Sequence, residues 1–397
     1  AHTPVPEYIR LIAQQKYSEA YMVNWESNVF PGILGRTCDR PCEPACRRGR
    51  VEEEPVAICR LKRVAADNKD DVKRFMPKAP FAPNGTKVAL VGAGPAALTV
   101  ARDLAPLGYE LHVFDEQKGG GGFMRSQIPS FRLPEAVLEE EVNFILDLGV
   151  VKHFNHYVKS LEALLSEGYD AVFVGSGAPR GRDLDVPGRK EAAAHVHIGI
   201  NWLANVAFEH TGKIGKRVIW RWGGYTSRYG GLTARRLGGE EVKVIVRSPF
   251  AEMKASLWEK EDAIHEDIPI IDNHVPKSFV VEDGVLKGMM FEKVHAVYDN
   301  GKRKLVPTGE AEVFYPADDV LVAIGQENSF PWIERGIGIE FDKWDMPVVN
   351  EVTFASTRPK VFFGGDAAFG PKNVITAVAH GHQAAVSIHL FCMGEDI

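Results

Sequence analysis

Lys87-Val-Ala-Leu-Val-Gly92-Ala-Gly94-Pro95-Ala96-Ala97 is a short apolar run, a glycine-rich turn and the start of a helix expected over 96–107. Glu110-Leu-His-Val-Phe-Asp115 follows as the next strand, so the stretch reads as a β-α-β unit. Gly92 permits a tight turn, Gly94 lets the backbone approach a pyrophosphate, and Ala97 is small enough for helix–strand packing. The helix that starts at Pro95 offers free N–H groups, from Ala96 onward, and the positive end of a dipole to phosphates. Asp115 stands 23 residues after Gly92, where an acid hydrogen-bonds a ribose. A second unit of this kind begins at Lys216-Arg-Val-Ile and reaches Val242-Lys-Val-Ile-Val. Apolar strands at 171–174, 320–324 and 361–363 each run into a glycine, Gly175, Gly325 and Gly364, as strands do where their ends face a ligand. The chain is therefore expected to be α/β with two Rossmann-like units.

Residues 1 to about 80 have a different character. Amphipathic helices are expected from Pro6 and over 58–75, and the proline-rich stretch 76–85 reads as a linker. Between the helices lie Cys38, Cys42, Cys46 and Cys59, spaced x3, x3 and x12. Three thiols within nine residues suit a loop wrapped on one face of an iron–sulfur cluster, and the arginines at 36, 40, 47, 48 and 50 could offset its charge. A structural zinc or unrelated thiols are the other readings of this spacing. Cys392 stands apart and is expected to be a buried structural thiol.

Of 397 residues, 45% are hydrophobic and 25% charged, which excludes wholesale disorder and coiled coil. The net charge of −6, with both signs interspersed, gives no electrostatic footprint for nucleic acid. The uncharged run 373–394 carries three histidines, an asparagine and a glutamine, so a core helix is expected there, not a membrane insertion. No secretory signal is recognisable, and clustered cysteines in a Cys-poor chain point to a reducing, cytoplasmic setting.

Cys38-Asp-Arg-Pro-Cys-Glu-Pro-Ala-Cys46, Val88-Ala-Leu-Val-Gly-Ala-Gly-Pro-Ala-Ala97, Ile128-Pro-Ser-Phe-Arg-Leu-Pro134, Ala323-Ile-Gly-Gln326 and Phe363-Gly-Gly-Asp366 occur in this order. Together they resemble the glutamate synthase small-subunit-like flavoproteins over essentially the whole chain. The resemblance implies an N-terminal helical iron–sulfur domain (1–80), an FAD domain (81–205 and 318–397) and an NAD(P)H domain inserted into it (206–317). It implies a [4Fe-4S] cluster on Cys38, Cys42, Cys46 and Cys59. It implies FAD held at Gly92, Gly94, Pro95, Ala96, Asp115, Gly175 and Gly325, with Arg132 in the segment beside the flavin. Gly365 and Asp366 resemble the second FAD motif, whose acid binds the ribityl chain. Asn373 and Val374 open a helix aimed at the flavin. Gly119–Gly122 departs from the family's Pro-Gly-Gly, which is expected to loosen that loop.

The second turn departs further. Trp222 occupies the first glycine position, and Gly223 and Gly224 fill the next two. A side chain there is expected to fill the space a dinucleotide needs. The site is disabled, or it binds with altered geometry, or residues 220–232 are mis-stated between two matching flanks. Coenzyme choice is read at Arg247-Ser248. The family's NADPH users often carry two arginines there, so one arginine favours NAD(H) over NADP(H).

The resemblance implies a subunit passing electrons between a partner subunit, the cluster, FAD and NAD(H), with no catalytic triad. The single four-cysteine cluster favours the NAD-linked flavoprotein subunit of a phenylglyoxylate dehydrogenase-type 2-oxoacid oxidoreductase over an NADPH-oxidising glutamate synthase subunit. An FAD-containing assembly subunit with a disabled nicotinamide site is the reading from a different class. His380 and His382 are expected to be core residues.

Overall fold

A computed structural model describes residues 2–78, 82–223, 229–253 and 255–397. The chain forms two compact units, Ala1–Arg125 with Ser130–Ala178 and Asn328–Ile397, and Ser126–Pro129 with Pro179–Glu327.

The first unit opens with four helices, α1 (Val5–Ala13), α2 (Tyr17–Asn28), α3 (Pro31–Thr37) and α4 (Ile58–Asp67). Tyr8, Leu11, Ala20, Ile58 and Ala65 give them a core of their own. The helix expected over 58–75 stops at Asp67. The Asn68 backbone N–H and side-chain Nδ2 both donate to the Val64 carbonyl, at 3.1 and 2.9 Å, and so end the helix locally. Only a 3-10 turn follows, at Lys73–Phe75.

The first Rossmann-like half continues as β1 (Lys87–Val91), α5 (Pro95–Leu104), β2 (Glu110–Phe114), α6 (Phe123–Ser126), α7 (Glu135–Leu146), β3 (Val151–His153), α8 (Leu161–Ser166) and β4 (Ala171–Val174). The helical segment belongs to this same unit. Tyr21, Trp25 and Val72 pack with Phe144 of α7, and the Glu141 carboxylate accepts hydrogen bonds from the Gly32 and Ile33 N–H groups and the Tyr21 hydroxyl. A negative group at the start of α3 is where the helix dipole favours it.

The second unit contains β5 (Arg180–Gly181), β6 (Val196–Ile198), α9 (Gly199–Ala207), β7 (Arg217–Trp222), α10 (Gly230–Arg236), β8 (Glu241–Ile245), α11 (Leu257–His265) and β9 (Ile270–Ile271). Then come β10 (His274–Glu282), β11 (Val285–Asp299), β12 (Lys302–Pro307), β13 (Val313–Pro316), β14 (Asp319–Ala323) and β15 (Gln326–Glu327). Its main sheet is parallel, in the order β6-β14-β7-β8-β9, beside an antiparallel sheet β10-β11-β12 with β13 on β11. The boundaries expected at 206 and 317 fall inside this unit. Register explains the difference: Val320 of β14 lies beside Val196 of β6 and Asp319 beside Val218 of β7. Both flanking strands thereby bury Val196, Val320 and Val322 in the second unit's core.

The chain returns to the first unit with β16 (Val361–Phe363), α12 (Asp366–Phe369) and α13 (Val374–Met393). The first sheet is all parallel, in the order β16-β4-β1-β2-β3. The uncharged run is the core helix expected. It lies so close to α5 that a Cβ on Gly381 would stand 2.6 Å from the Ala96 carbonyl oxygen. No helix among the described residues is long and apolar enough to cross a membrane.

Candidate functional site

In the first unit the nucleotide turn is built by backbone-to-backbone packing. Gly92 has φ +94°, and a Cβ there would lie 2.7 Å from the Gly175 carbonyl oxygen. A side chain is thus refused twice, by conformation and by space. Gly94 caps α5 and Pro95 opens its first turn without an N–H of its own, so the N–H groups of Ala96 and Ala97 are the ones that lack helical partners. The four-glycine run is not loose. Gly121 N–H donates to the Ala93 carbonyl at 2.8 Å, and a Cβ on Gly122 would lie 2.9 Å from Gly94 Cα. The extra glycines let one loop lie directly on the other. Asp115 accepts from the Ala93 N–H at 2.7 Å and the Gln117 N–H at 2.8 Å. Burial raises its pKa, and those two N–H groups and Arg125 work against the rise.

The second sequence motif arrives at the same place. Gly365, with φ +63°, would put a Cβ 3.1 Å from Ala96 Cβ and 3.5 Å from Ala377 Cβ, so the starts of α5, α12 and α13 meet. Asp366 accepts from the Lys372 N–H at 3.0 Å, while burial pushes its carboxyl up to about 6, against the pull of Lys372. Asn373 caps α13, accepting from the Thr376 N–H at 3.0 Å, with Val374 as the first helical residue. Two further residues sit here that the sequence motifs did not indicate. Asn328 donates to the Asp366 and Ala367 carbonyls, at 2.9 and 2.8 Å. Its Oδ1, like Ser176 Oγ, is buried with no partner among the described residues. A glycine cradle, three helix N-termini and orphaned buried polar atoms fit a dinucleotide such as FAD. Buried polar residues one and three positions beyond Gly175 and Gly325 were the available signal. Arg132 is half-buried in the turn before Leu133, whereas Gly325 belongs to the second unit, its carbonyl accepting from the Arg182 N–H at 3.0 Å. His382 is paired with Asp103 and the Ser27 carbonyl, and His380 packs against Phe354 and Phe369; both are half-buried rather than core, and His380 Nδ1 is buried with no partner among the described residues.

Cys38 and Cys59 occupy the end of α3 and the start of α4, and Cys42 and Cys46 lie in the loop between them. These helices touch so closely that a Cβ on Gly35 would meet Arg63 Cα at 2.8 Å. Cys38 caps α3 and Cys59 lies in the first turn of α4, where its thiol donates to the Leu34 and Gly35 carbonyls, at 3.3 and 3.5 Å. The Cys38 thiol is held low, at about 6, first by Cys59, while Cys59 is pushed up by Cys38 and burial. The Arg40 N–H points to Cys38 Sγ at 3.4 Å. Backbone N–H groups of Val56, Arg48 and Gly49 lower the Cys46 pKa. Cys42 is exposed as a residue, but partial desolvation of its thiol and then Cys38 raise the thiol's pKa. Among the described residues no group of three or more His, Cys, Asp or Glu side chains is placed to hold a metal ion. Thiols served by backbone N–H donors are the donor chemistry an iron–sulfur cluster uses. Tyr8, not singled out from the sequence, lies beneath them with its hydroxyl on the Ile58 carbonyl at 2.9 Å. Burial and then the neighbouring thiols raise its pKa. Cys392 is half-buried rather than buried.

The second unit's turn is built differently. Trp222 is 4% exposed and stacks on Trp220, with ring centroids 5.0 Å apart and planes 4° apart. Both indoles join Tyr229 and Leu232 in the core, so Trp222 turns inward. Gly223 N–H donates to the Ala323 carbonyl at 2.9 Å, and a Cβ there would lie 3.0 Å from Ile324 Cα. Gly224 lies outside the described residues. Arg221 is buried and donates to the Trp222 and Ile245 carbonyls, at 3.0 and 2.9 Å. Burial and then Arg247 lower its pKa to about 10, which leaves it cationic at neutral pH. Arg247 is exposed just beyond β8.

Two Rossmann-like units and a thiol-bearing helical segment define a nucleotide-dependent oxidoreductase class. The pyridine nucleotide-disulphide oxidoreductase model matches residues 86–381, and the model of dihydropyrimidine dehydrogenase domain II with a 4Fe-4S cluster matches residues 1–74. The chain belongs to the iron–sulfur flavoprotein oxidoreductases of this pyridine nucleotide-linked family. It is 35% identical to the NADP(+)-dependent formate dehydrogenase subunit beta of Moorella thermoacetica, over 98% of this chain and 58% of that protein. It is 30% identical to the glutamate synthase [NADPH] small chain of Azospirillum brasilense, over 99% and 86% respectively. The chain thus spans less than two thirds of the first relative's length. Thioredoxin reductase of T. acidophilum shares the fold, with a TM-score of 0.59 at 19% identity over 76% of this chain and 97% of that one.

Proposed function

We propose that the chain is the electron-transfer flavoprotein subunit of a multi-subunit oxidoreductase, linking a pyridine nucleotide to a partner's iron–sulfur centre. The carrying observation is that one compact unit contains both the thiol-bearing helices and the glycine cradle. Bound FAD supplies the exchange between two-electron hydride chemistry and single electrons. In this reading Gly92, Gly94, Pro95, Ala96 and Gly175 admit the pyrophosphate and Asp115 takes the adenosine ribose. Asp366 takes the ribityl chain, and Asn373 and Val374 present the α13 N-terminus to the flavin ring, where the dipole stabilises negative charge. Ser176 and Asn328 offer buried polar atoms that have no partner among the described residues. Arg132 guards the flavin edge. Cys38, Cys42, Cys46 and Cys59 ligate the cluster, with backbone N–H groups tuning the sulfurs.

Asp39 lies directly after Cys38, and its carboxylate receives the Asn373 side-chain N–H at 3.4 Å. That contact supports a short route from the cysteine loop to the start of α13. The partner is proposed by class only. The resemblance pointed to a 2-oxoacid oxidoreductase, whereas the relatives described above are linked to formate and to glutamate synthesis. Iron, sulfide and flavin counting on the full chain tests the assignment. About four irons and one flavin are expected per chain. Cys38→Ser should lose the iron and keep the flavin. Flavin without any iron in the anaerobically prepared wild type would contradict it.

A further inference from the structure

We propose that Arg303, a residue of the β12 hairpin strand, completes with Arg247 a two-guanidinium clamp for a 2′-phosphate, so that the second unit selects NADP(H). The inference rests on reading that unit as the pyridine-nucleotide domain.

In a β-α-β dinucleotide unit, the residues just after the second strand face the adenosine ribose. An acid there binds the 2′-hydroxyl of NAD and repels a phosphate, whereas arginine accommodates it. Here that position is Val246-Arg247-Ser248, with no acid. The sequence alone shows one arginine. The fold brings a second: Arg303 Nη1 donates to Ser248 Oγ at 3.0 Å, across 55 residues of chain. The same nitrogen reaches Glu252 Oε2 at 3.2 Å. That carboxylate steadies the guanidinium and is the one acid in contact with it among the described residues. Beneath this surface Arg221 is buried and cationic, and its charge acts on Arg247. Three guanidinium groups against one carboxylate leave net positive charge where a 2′-phosphate would sit. Guanidinium forks match phosphate oxygens geometrically, and Ser248 Oγ adds a donor.

The test is calorimetric titration of the full chain with NADP⁺ and NAD⁺, so no turnover is needed. Wild type should bind NADP⁺ at least about tenfold tighter than NAD⁺. Arg303→Ala and Arg247→Ala should each weaken NADP⁺ by about tenfold or more and leave NAD⁺ within about twofold. Arg303→Lys should recover part of the NADP⁺ affinity. Flavin content and Tm of each variant report intact folding. Unchanged NADP⁺ affinity in Arg303→Ala, beside a loss in Arg247→Ala, overturns the role of Arg303 and leaves the coenzyme site standing. Wild type that binds neither nucleotide overturns both the inference and the domain reading beneath it.

Discussion

The two β-α-β turns of this chain solve one problem in opposite ways. Around Gly92 the turn is made of backbone: Gly92 lies on Gly175, Gly122 on Gly94, and Gly365 on Ala96. Around Trp222 the strand ends in side chains, two stacked indoles sunk into the core beneath α10. The first arrangement leaves buried polar atoms of Ser176 and Asn328 without a partner among the described residues. The second sinks its aromatic volume into the core below the strand end. Matching sequence grammar therefore does not guarantee a matching turn. What decides it is whether backbone or side chain fills the space at the end of the first strand.

The contrast is most exposed to substitution at the indoles. Trp222→Ala should destabilise the chain by about 3–5 kcal/mol, because a buried aromatic is replaced by a cavity. A denaturant midpoint unchanged by the substitution would mean that the stack is not core. In the first turn Gly92→Ala should cost about 1–3 kcal/mol in strain. It should also strip the flavin band, since the Cβ pushes Gly175 away from the cradle. Retention of stoichiometric flavin would break the comparison from the other side.

A pH series sharpens the account of how the first unit is assembled. Burial raises the Glu141 carboxyl from 4.5 to about 7. Between those values the native state holds a proton that the unfolded chain releases. This group's contribution to stability therefore falls as pH rises through that window, by roughly 3 kcal/mol at most, and is flat above it. Glu141→Gln should remove that slope in urea midpoints measured at pH 5 and pH 8. An identical slope in both proteins would place the titration elsewhere.

Peptide mass mapping across residues 217–236 examines the second turn without perturbing it. Peptides carrying Trp220 and Trp222 are expected, since both indoles have places in one core. A glycine-rich peptide instead would erase the contrast.

Strand and helix positions were legible because apolar runs ending in glycine have few alternatives in an α/β chain. The thiol spacing and the first glycine turn were legible for the same local reason. The unit boundaries were not, because β6 and β14 are assigned by register with β7, which no local pattern encodes. Asn328 and Ser176 escaped notice as single polar residues whose burial is a tertiary fact. Arg303 was invisible beside Arg247 because a hairpin delivers it from 55 residues beyond Ser248. The inward turn of Trp222 reflects a packing choice between two faces of a strand end.

The most direct test of the central claim is an anaerobic visible spectrum of the purified full chain during stepwise addition of NADPH. The account predicts that the flavin band bleaches within the first equivalents, with electrons drawn through a second unit that still accepts its coenzyme. A flavin band that NADPH and NADH both leave untouched, yet dithionite bleaches, would contradict it and assign the chain to assembly.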